Sequence, residues 1–315
     1  MSGAMRVVVT SRSFGSGTRK VADELAAAGT EVVRGPATHD LAELGPLLAE
    51  ADGWIAGTGP ITAAHLNAAP RLRVIARYGV GVDAVDLAAA ARHGVTVTNT
   101  PGANTEAVAD LALVLLLSAV RGVTEGDRRV RAGRWTPVRG REIASLRIGI
   151  AGLGQIGRAF ARRAAALGCE VVGHDPYAPP GDIPRAPLAE LAACDAVSLH
   201  ASGGATLIDE RWLAAVRPGL VLVNTARAGL VDEAAVAAAL RDGRLGAYAA
   251  DTLATESGGT SPLLDPELAG RVTLTPHIGA QTVQAIDRMG AAAAADVLAV
   301  LSGRPPLNPV PTEGK

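Results

Sequence analysis

The sequence is poor in cysteine, in lysine and in long apolar runs, and each shortage excludes something. With two cysteines in 315 residues and no CxxC pair, neither a metal centre nor a redox dithiol is expected. Cys169 and Cys194 each lie beside an apolar, strand-like stretch and read as small buried hydrophobes. The longest apolar stretch, Leu111 to Val120, is too short to span a bilayer and carries a serine. No apolar leader precedes the strand-like Arg6 to Thr10, so a cytoplasmic protein without a membrane partner is expected. The net charge is −1. Arginine replaces lysine almost throughout, but it is scattered and forms no basic stripe, which argues against a nucleic-acid partner.

What is present is an alternation. Hydrophobic residues make up 48% and charged ones 19%, the balance of a globular chain, and 315 residues suit two domains better than one core. Strands are expected at Val7–Val9, Glu31–Val33, Gly53–Ala56, Val74–Ala76 and Thr96–Thr98, separated by alanine- and leucine-rich helical segments. After Pro101–Gly102 a long helix is expected from about Thr105 to Arg121, with Asn104 as its cap. Further strands follow at Val171–Gly173, Ala196–Leu199, Leu220–Asn224, Ala247–Ala250 and Val272–Leu274. A last helix, Thr282 to Leu301, is expected to return to the first domain.

Mid-chain, Gly152-Leu153-Gly154-Gln155-Ile156-Gly157 joins the apolar Ile148 to Ala151 to a helical Arg158 to Leu167. Glycines there let the backbone approach a pyrophosphate, whose charge is stabilised at the helix N-terminus. The string alone is common. A second strand, Cys169 to His174, ends in Asp175, 18 residues beyond Gly157 and close to the ~20 expected for a ribose-binding acid. Such a carboxylate accepts from ribose hydroxyls and repels a 2′-phosphate, which favours NAD over NADP; a turn aspartate before Pro176 is the plainer alternative.

The blocks Arg77 to Asp83, Asn99 to Thr105, the glycine run with Asp175, Asn224 to Arg227, and Thr275 to Ala280 together resemble the D-isomer-specific 2-hydroxyacid dehydrogenase family over nearly the whole chain. The resemblance implies an α/β fold in which a Rossmann NAD-binding domain, residues 100–280, is inserted into a flavodoxin-like substrate domain, residues 1–99 plus 281–315. It implies NAD as cofactor, a small 2-keto or 2-hydroxy acid as substrate, and a homodimer built on the amphipathic Thr105 to Arg134. No further C-terminal regulatory domain is expected. Beyond Gly152, Gly154, Gly157 and Asp175, the implied cofactor contacts are Gln155, Ile156, Thr225, Ala226, Arg227, Asp251, His277, Gly279 and Ala280.

Reducing a 2-keto acid requires a cation for the carboxylate, a proton donor for the carbonyl oxygen and a hydride at the carbonyl carbon. Arg227, just past the C-terminal end of a strand, has a planar fork suited to a carboxylate. His277 follows the last strand and suits a proton shuttle near neutrality. Glu256 stands five positions beyond Asp251, the family's offset, and paired with His277 it would favour the imidazolium. By resemblance these three are catalytic, and Val80 and Gly81 join Arg227 and His277 in binding substrate. His39, His65 and His93 read as surface residues, and His200 as structural.

Four departures from the family pattern stand out. Ala228 replaces a usual glycine, Ser257 a usual proline, and the loop after His200 is short and lacks its proline. Ala56 to Pro60 also lacks the arginines that some phosphoglycerate dehydrogenases carry there. A small unphosphorylated acid is therefore favoured over 3-phosphoglycerate. A nonenzymatic NAD(H)-sensing regulator of the same fold, or phosphite or formate oxidation, are the rival readings.

Overall fold

The computed structural model describes residues 4–256 and 259–311. The chain forms two compact units, Met1–Asn104 with Ala280–Lys315, and Thr105–Gly279. The first holds a parallel sheet of β1 (Met5–Val9), β2 (Thr30–Arg34), β3 (Gly53–Ala56), β4 (Val74–Arg77) and β5 (Thr96–Thr98), in the order β2-β1-β3-β4-β5. That is the flavodoxin-like winding. Every residue of β3 and β4 is buried, which is why they read as unbroken apolar runs.

Four short helices join these strands: α1 (Val21–Ala27), α2 (Leu41–Leu48), α3 (Ala63–Asn67) and α4 (Leu87–Arg92). Asp40 and Asp86 start α2 and α4 by accepting first-turn N–H groups. The C-terminal helix, Val283–Leu301, is capped by the Thr282 hydroxyl and packs on α1, β3 and β4. Buried within it, Asp296 accepts hydrogen bonds from the backbone of Leu307 and Asn308 and from the Asn308 amide, which turns the chain back so that Val310 pairs with Val97.

His39 and His65 depart from expectation: both are buried, as parts of one polar network beneath the sheet edge. The Thr10 hydroxyl accepts from Trp54 Nε1 (3.0 Å) and from the Gly57 N–H (3.2 Å). Its own proton therefore goes to His39 Nε2, 2.7 Å away, and His39 Nδ1–H donates to the Pro60 carbonyl. Burial pushes the His39 pKa down to about 4, so the ring is neutral, as this wiring requires. His65 in turn donates from Nε2 to the His39 carbonyl.

In the second unit α5 (Thr105–Arg121) and α6 (Val123–Arg131) meet at 63° across Gly122, whose φ is +62°. The Asn104 side-chain oxygen has no hydrogen-bond partner, so it does not cap α5. There follow β6 (Arg147–Ala151), α7 (Gln155–Ala166), β7 (Glu170–His174), β8 (Ala196–Leu199), α8 (Glu210–Ala214), β9 (Leu220–Asn224), α9 (Glu233–Arg241), β10 (Leu245–Ala250) and β11 (Val272–Leu274). The strands are all parallel, in the order β11-β10-β9-β8-β6-β7.

A single parallel bridge between Gly173 and Arg185 extends the sheet beyond β7. It stands where the doubly wound dinucleotide fold has its third strand, and with it the order reverses between β6 and β8. Prolines at 176, 179, 180, 184 and 187 explain the reduction, because they offer no N–H for a longer ladder. Cys169 and Cys194 are buried, and burial pushes both thiols up. No single helix among the described residues is long and apolar enough to cross a membrane.

Candidate active site

The glycine run occupies the β6–α7 turn, at the point where the strand order reverses. Each glycine has its own reason. Gly152 has φ +98°, and a Cβ there would collide with the backbone of His200 and Ala201 after β8. A Cβ on Gly157 would strike the Gly152 carbonyl, so that glycine lets α7 approach the turn. Around Gly154, by contrast, there is nothing within 4 Å of a Cβ, and no side chain caps the α7 N-terminus behind it. Open space before uncapped helix amides is the form of an anion cradle. Three buried polar atoms without partners, His200 Nδ1, Thr225 Oγ1 and Thr252 Oγ1, lie just past β8, β9 and β10 along the same edge. His200 is neutral, its pKa pushed down to about 3 by burial.

Asp175 ends β7 beside this turn. Its carboxylate accepts from the Leu153 N–H (2.8 Å), within the glycine run, and from Tyr177 and Ala178, in a turn of its own. Burial opposes its charge, but these N–H groups and the Arg185 guanidinium outweigh that and hold it below the ordinary aspartate range. The turn-forming and ligand-facing readings of Asp175 are thus compatible: one carboxylate has about four acceptor sites, and three are filled. Arg158 and Arg185 flank the same loop, with their donors on the carbonyls of Leu153, Pro179 and Ala178.

At the other end of the edge, buried Asp251 follows β10 and organises the segment after β11. It accepts from the Thr275 hydroxyl (2.5 Å), the Ile278 N–H (2.8 Å) and the Gly279 N–H (2.7 Å). Between those anchors His277 is held at φ +54°, a left-handed conformation that only His39 shares among the described non-glycine residues. His277 Nδ1 lies 2.9 Å from Glu256 Oε2. That hydrogen bond raises the His277 pKa; burial opposes it, the charges of Glu256 and Asp251 add to it, and nearby Arg227 works against it. Nδ1 carries the hydrogen shared with Glu256, which leaves Nε2 as the face for a reacting group.

Arg227 closes a turn built by Asn224, the fully buried last residue of β9. Asn224 accepts from the Ala226 N–H (3.0 Å) and donates to the Arg227 carbonyl (2.9 Å), which fixes Thr225, Ala226 and Arg227 in place. The sequence offered no role for Asn224, and for Asp251 only the cofactor contact that the resemblance implies, not its hold on the His277 loop. The available signal was an asparagine and an aspartate each placed directly at a strand's end. Ala228 causes no strain, since its φ is not positive. The short loop after His200 is tied to the segment after Arg227, with Thr206 Oγ1 donating to the Gly229 carbonyl. Ser257 lies outside the described residues.

In the first unit, β4 leads into Gly79-Val80-Gly81. Gly79 has φ +142° and donates to the Arg77 carbonyl and Thr100 Oγ1, while Asn99 Nδ2 donates to the Val80 carbonyl. The N–H groups of Val80 and Gly81 have no acceptor among the described residues. Ala280 opens the returning segment of this unit.

Residues 113–279 match the sequence profile of the D-isomer specific 2-hydroxyacid dehydrogenase NAD binding domain. The chain belongs to this dehydrogenase family. It is 39% identical over 301 residues to D-3-phosphoglycerate dehydrogenase of Mycobacterium leprae, covering 90% of this chain and 56% of that protein. The chain spans about half the length of the curated relatives it matches. Among solved structures, the TT0316 protein of Thermus thermophilus superposes with a TM-score of 0.88 at 39% identity, over 98% of this chain and 100% of that one. A glyoxylate reductase of Paecilomyes thermophila does so at 0.85 and 27%, over 99% of each.

As the family's NAD-binding domain, the second unit fits its cofactor on its own geometry. Gly152, Gly154 and Gly157 with the first turn of α7 would hold the pyrophosphate, Asp175 the adenosine ribose, and the edge past β9 and β10 the nicotinamide end. Among the described residues no group of three His, Cys, Asp or Glu side chains is placed to hold a metal ion.

Proposed function

We infer that the chain is an NAD-dependent oxidoreductase interconverting a D-2-hydroxy acid and its 2-keto acid. The observation that carries this reading is the His277–Glu256 pair, 2.9 Å apart on a loop fixed by buried Asp251, at the same sheet edge as the glycine turn. When bound, the nicotinamide ring supplies or accepts the hydride. His277 Nε2 gives its proton to the carbonyl oxygen in reduction and recovers it from the hydroxyl in oxidation. Glu256 keeps the imidazolium form available, because its negative charge favours the charged ring. Arg227 polarises the keto oxygen and holds the carboxylate by its planar fork. Within the first unit, the Val80 and Gly81 N–H groups are donors suited to an anionic group.

Asp175 favours NAD over NADP, since its charge repels a 2′-phosphate and neighbouring Arg158 and Arg185 are engaged with carbonyls. A homodimer through α5 and α6 is supported by Val114, Val123, Val130 and Trp135, all exposed. Loop 56–60 brings no cation to the far end of a substrate, which supports an unphosphorylated acid. The mycobacterial relative makes 3-phosphoglycerate the second reading.

The test is NADH oxidation across glyoxylate, pyruvate, hydroxypyruvate, 2-oxoglutarate and 3-phosphohydroxypyruvate, with NADPH in parallel. Turnover of at least one acid, faster with NADH, is expected. Tight NADH binding without turnover of any would overturn the reading in favour of a nonenzymatic sensor.

A further inference from the structure

An open α/β sheet binds ligands outside the carboxyl ends of its strands, where the strand order reverses. In the first unit that point lies between β1 and β3. The loop leaving β1 there is Ser11-Arg12-Ser13-Phe14, and it is built rigidly. Arg34 donates to the carbonyls of Ser11 (3.1 Å) and Phe14 (2.6 Å), and its guanidinium lies 5.5 Å from the centre of the Phe14 ring.

One end of the loop touches the loop after β3, and the other touches Tyr78, directly before the Gly79-Val80-Gly81 turn. At one end, a Cβ on Gly57 would lie 2.8 Å from the Thr10 carbonyl and 3.3 Å from Ser11 Cα, so the loops after β1 and β3 are in backbone contact. At the other, buried Phe14 meets Tyr78 edge-on at 5.9 Å, directly before Gly79. Arg77 ties the remaining sides, donating to the carbonyls of Ala56, Gly57 and Gly81.

Arg12 is thus carried between the β3 loop and the β4 loop, on a backbone held at both ends. Its neighbours Ser11 and Phe14 are buried, yet its own side chain is exposed. Among the described residues it has no hydrogen-bond or ion-pair partner, whereas Arg34 and Arg77 beside it are fully engaged in holding loops. A guanidinium without an internal partner, on a loop whose Phe14 packs on the residue before the Gly79-Val80-Gly81 turn, suits a second anionic group on a ligand held at that turn.

We propose that Arg12 is the specificity-determining cation for the far end of the substrate, and that the substrate class is 2-hydroxy acids bearing a second anionic group, phosphate or carboxylate. This rests on the dehydrogenase reading above and sharpens its choice between an unphosphorylated and a phosphorylated acid into a charge requirement, which a second carboxylate or a phosphate meets. The missing cation of loop 56–60 is supplied from the loop after β1.

The test compares kcat/KM for 3-phosphohydroxypyruvate, 2-oxoglutarate and hydroxypyruvate in the wild type, Arg12→Gln and Arg12→Lys. The wild type should prefer one of the two doubly anionic acids, and which one distinguishes phosphate from carboxylate. Arg12→Gln should lower that preference by about tenfold to hundredfold, the worth of one charge-assisted bond, and Arg12→Lys by less. A wild type without the preference, or a preference surviving Arg12→Gln, overturns the proposal. If no keto acid is turned over, the dehydrogenase reading fails while Arg12 is still decided by ligand-induced thermal shifts. Greater stabilisation by 3-phosphoglycerate or D-2-hydroxyglutarate than by D-glycerate, lost in Arg12→Gln, supports it; equal shifts overturn it.

Discussion

Replacing Asp251 by alanine removes the acceptor of three hydrogen bonds that hold the His277 loop. The Thr275 hydroxyl has a second acceptor, the Ala250 carbonyl at 3.4 Å, and loses little. The N–H groups of Ile278 and Gly279 have none. An N–H left without an acceptor costs about 1–3 kcal/mol, and the half-exposed Ile278 can be hydrated, so a loss of about 2–4 kcal/mol is expected. For a unit of this size that is a fall in Tm of roughly 5–15 °C. His277 also sits at φ +54°, a conformation costing on the order of 1 kcal/mol that persists only while both sides are pinned. Released, the imidazole moves from its position against Glu256, and a displacement of ~1 Å costs on the order of 10²-fold in rate. Thermal unfolding, steady-state NADH oxidation and hydrogen exchange at the Gly279 amide measure the three consequences. A Tm within ~2 °C of wild type, together with kcat within about threefold, would refute the reasoning.

Three further outcomes are expected. His277→Ala should abolish keto-acid reduction while leaving NADH binding intact, as read by fluorescence titration; retained turnover removes the proton role from this residue. Glu256→Gln should lower the His277 pKa, because the carboxylate is its chief cause of elevation. Reduction needs the imidazolium, so activity is full below that pKa and is lost as pH rises through it; the alkaline limb of the pH–rate profile should move to lower pH, and an unmoved limb contradicts the pairing. Gly154→Ala should keep the wild-type Tm, since its Cβ meets nothing within 4 Å, while weakening NADH binding by about tenfold or more. Equal NADH affinity in that variant would place the pyrophosphate elsewhere.

The strands were legible because central parallel strands are buried on both faces and so appear as continuous aliphatic runs, as β3, β4 and β9 show. The glycine turn between β6 and α7 was legible because its pattern is local, and the hydrogen bond between Glu256 and His277 was expected from the family's spacing and not from the residues alone. Asp251 was less so: its partners at 275, 278 and 279 are remote in sequence, and no local pattern announces a carboxylate that holds a distant loop. His39 and His65 were misjudged for a related reason. A polar side chain between turn residues looks exposed until remote partners are brought to it, here Thr10 to His39 and the His39 carbonyl to His65. The expected cap of α5 failed because Asn104, although it precedes the helix, leaves its oxygen unbonded.

The returning C-terminal helix has a consequence for synthesis. Val283–Leu301 packs on β3 and β4, which leave the ribosome far earlier, and the intervening unit spans residues 105–279. At ~5–20 residues per second those strands wait roughly 10–45 s for the helix that covers them. The inserted unit is complete in sequence before its host and can fold first as nascent chain, while the host's apolar face stands open to chaperones until Val283–Leu301 emerges.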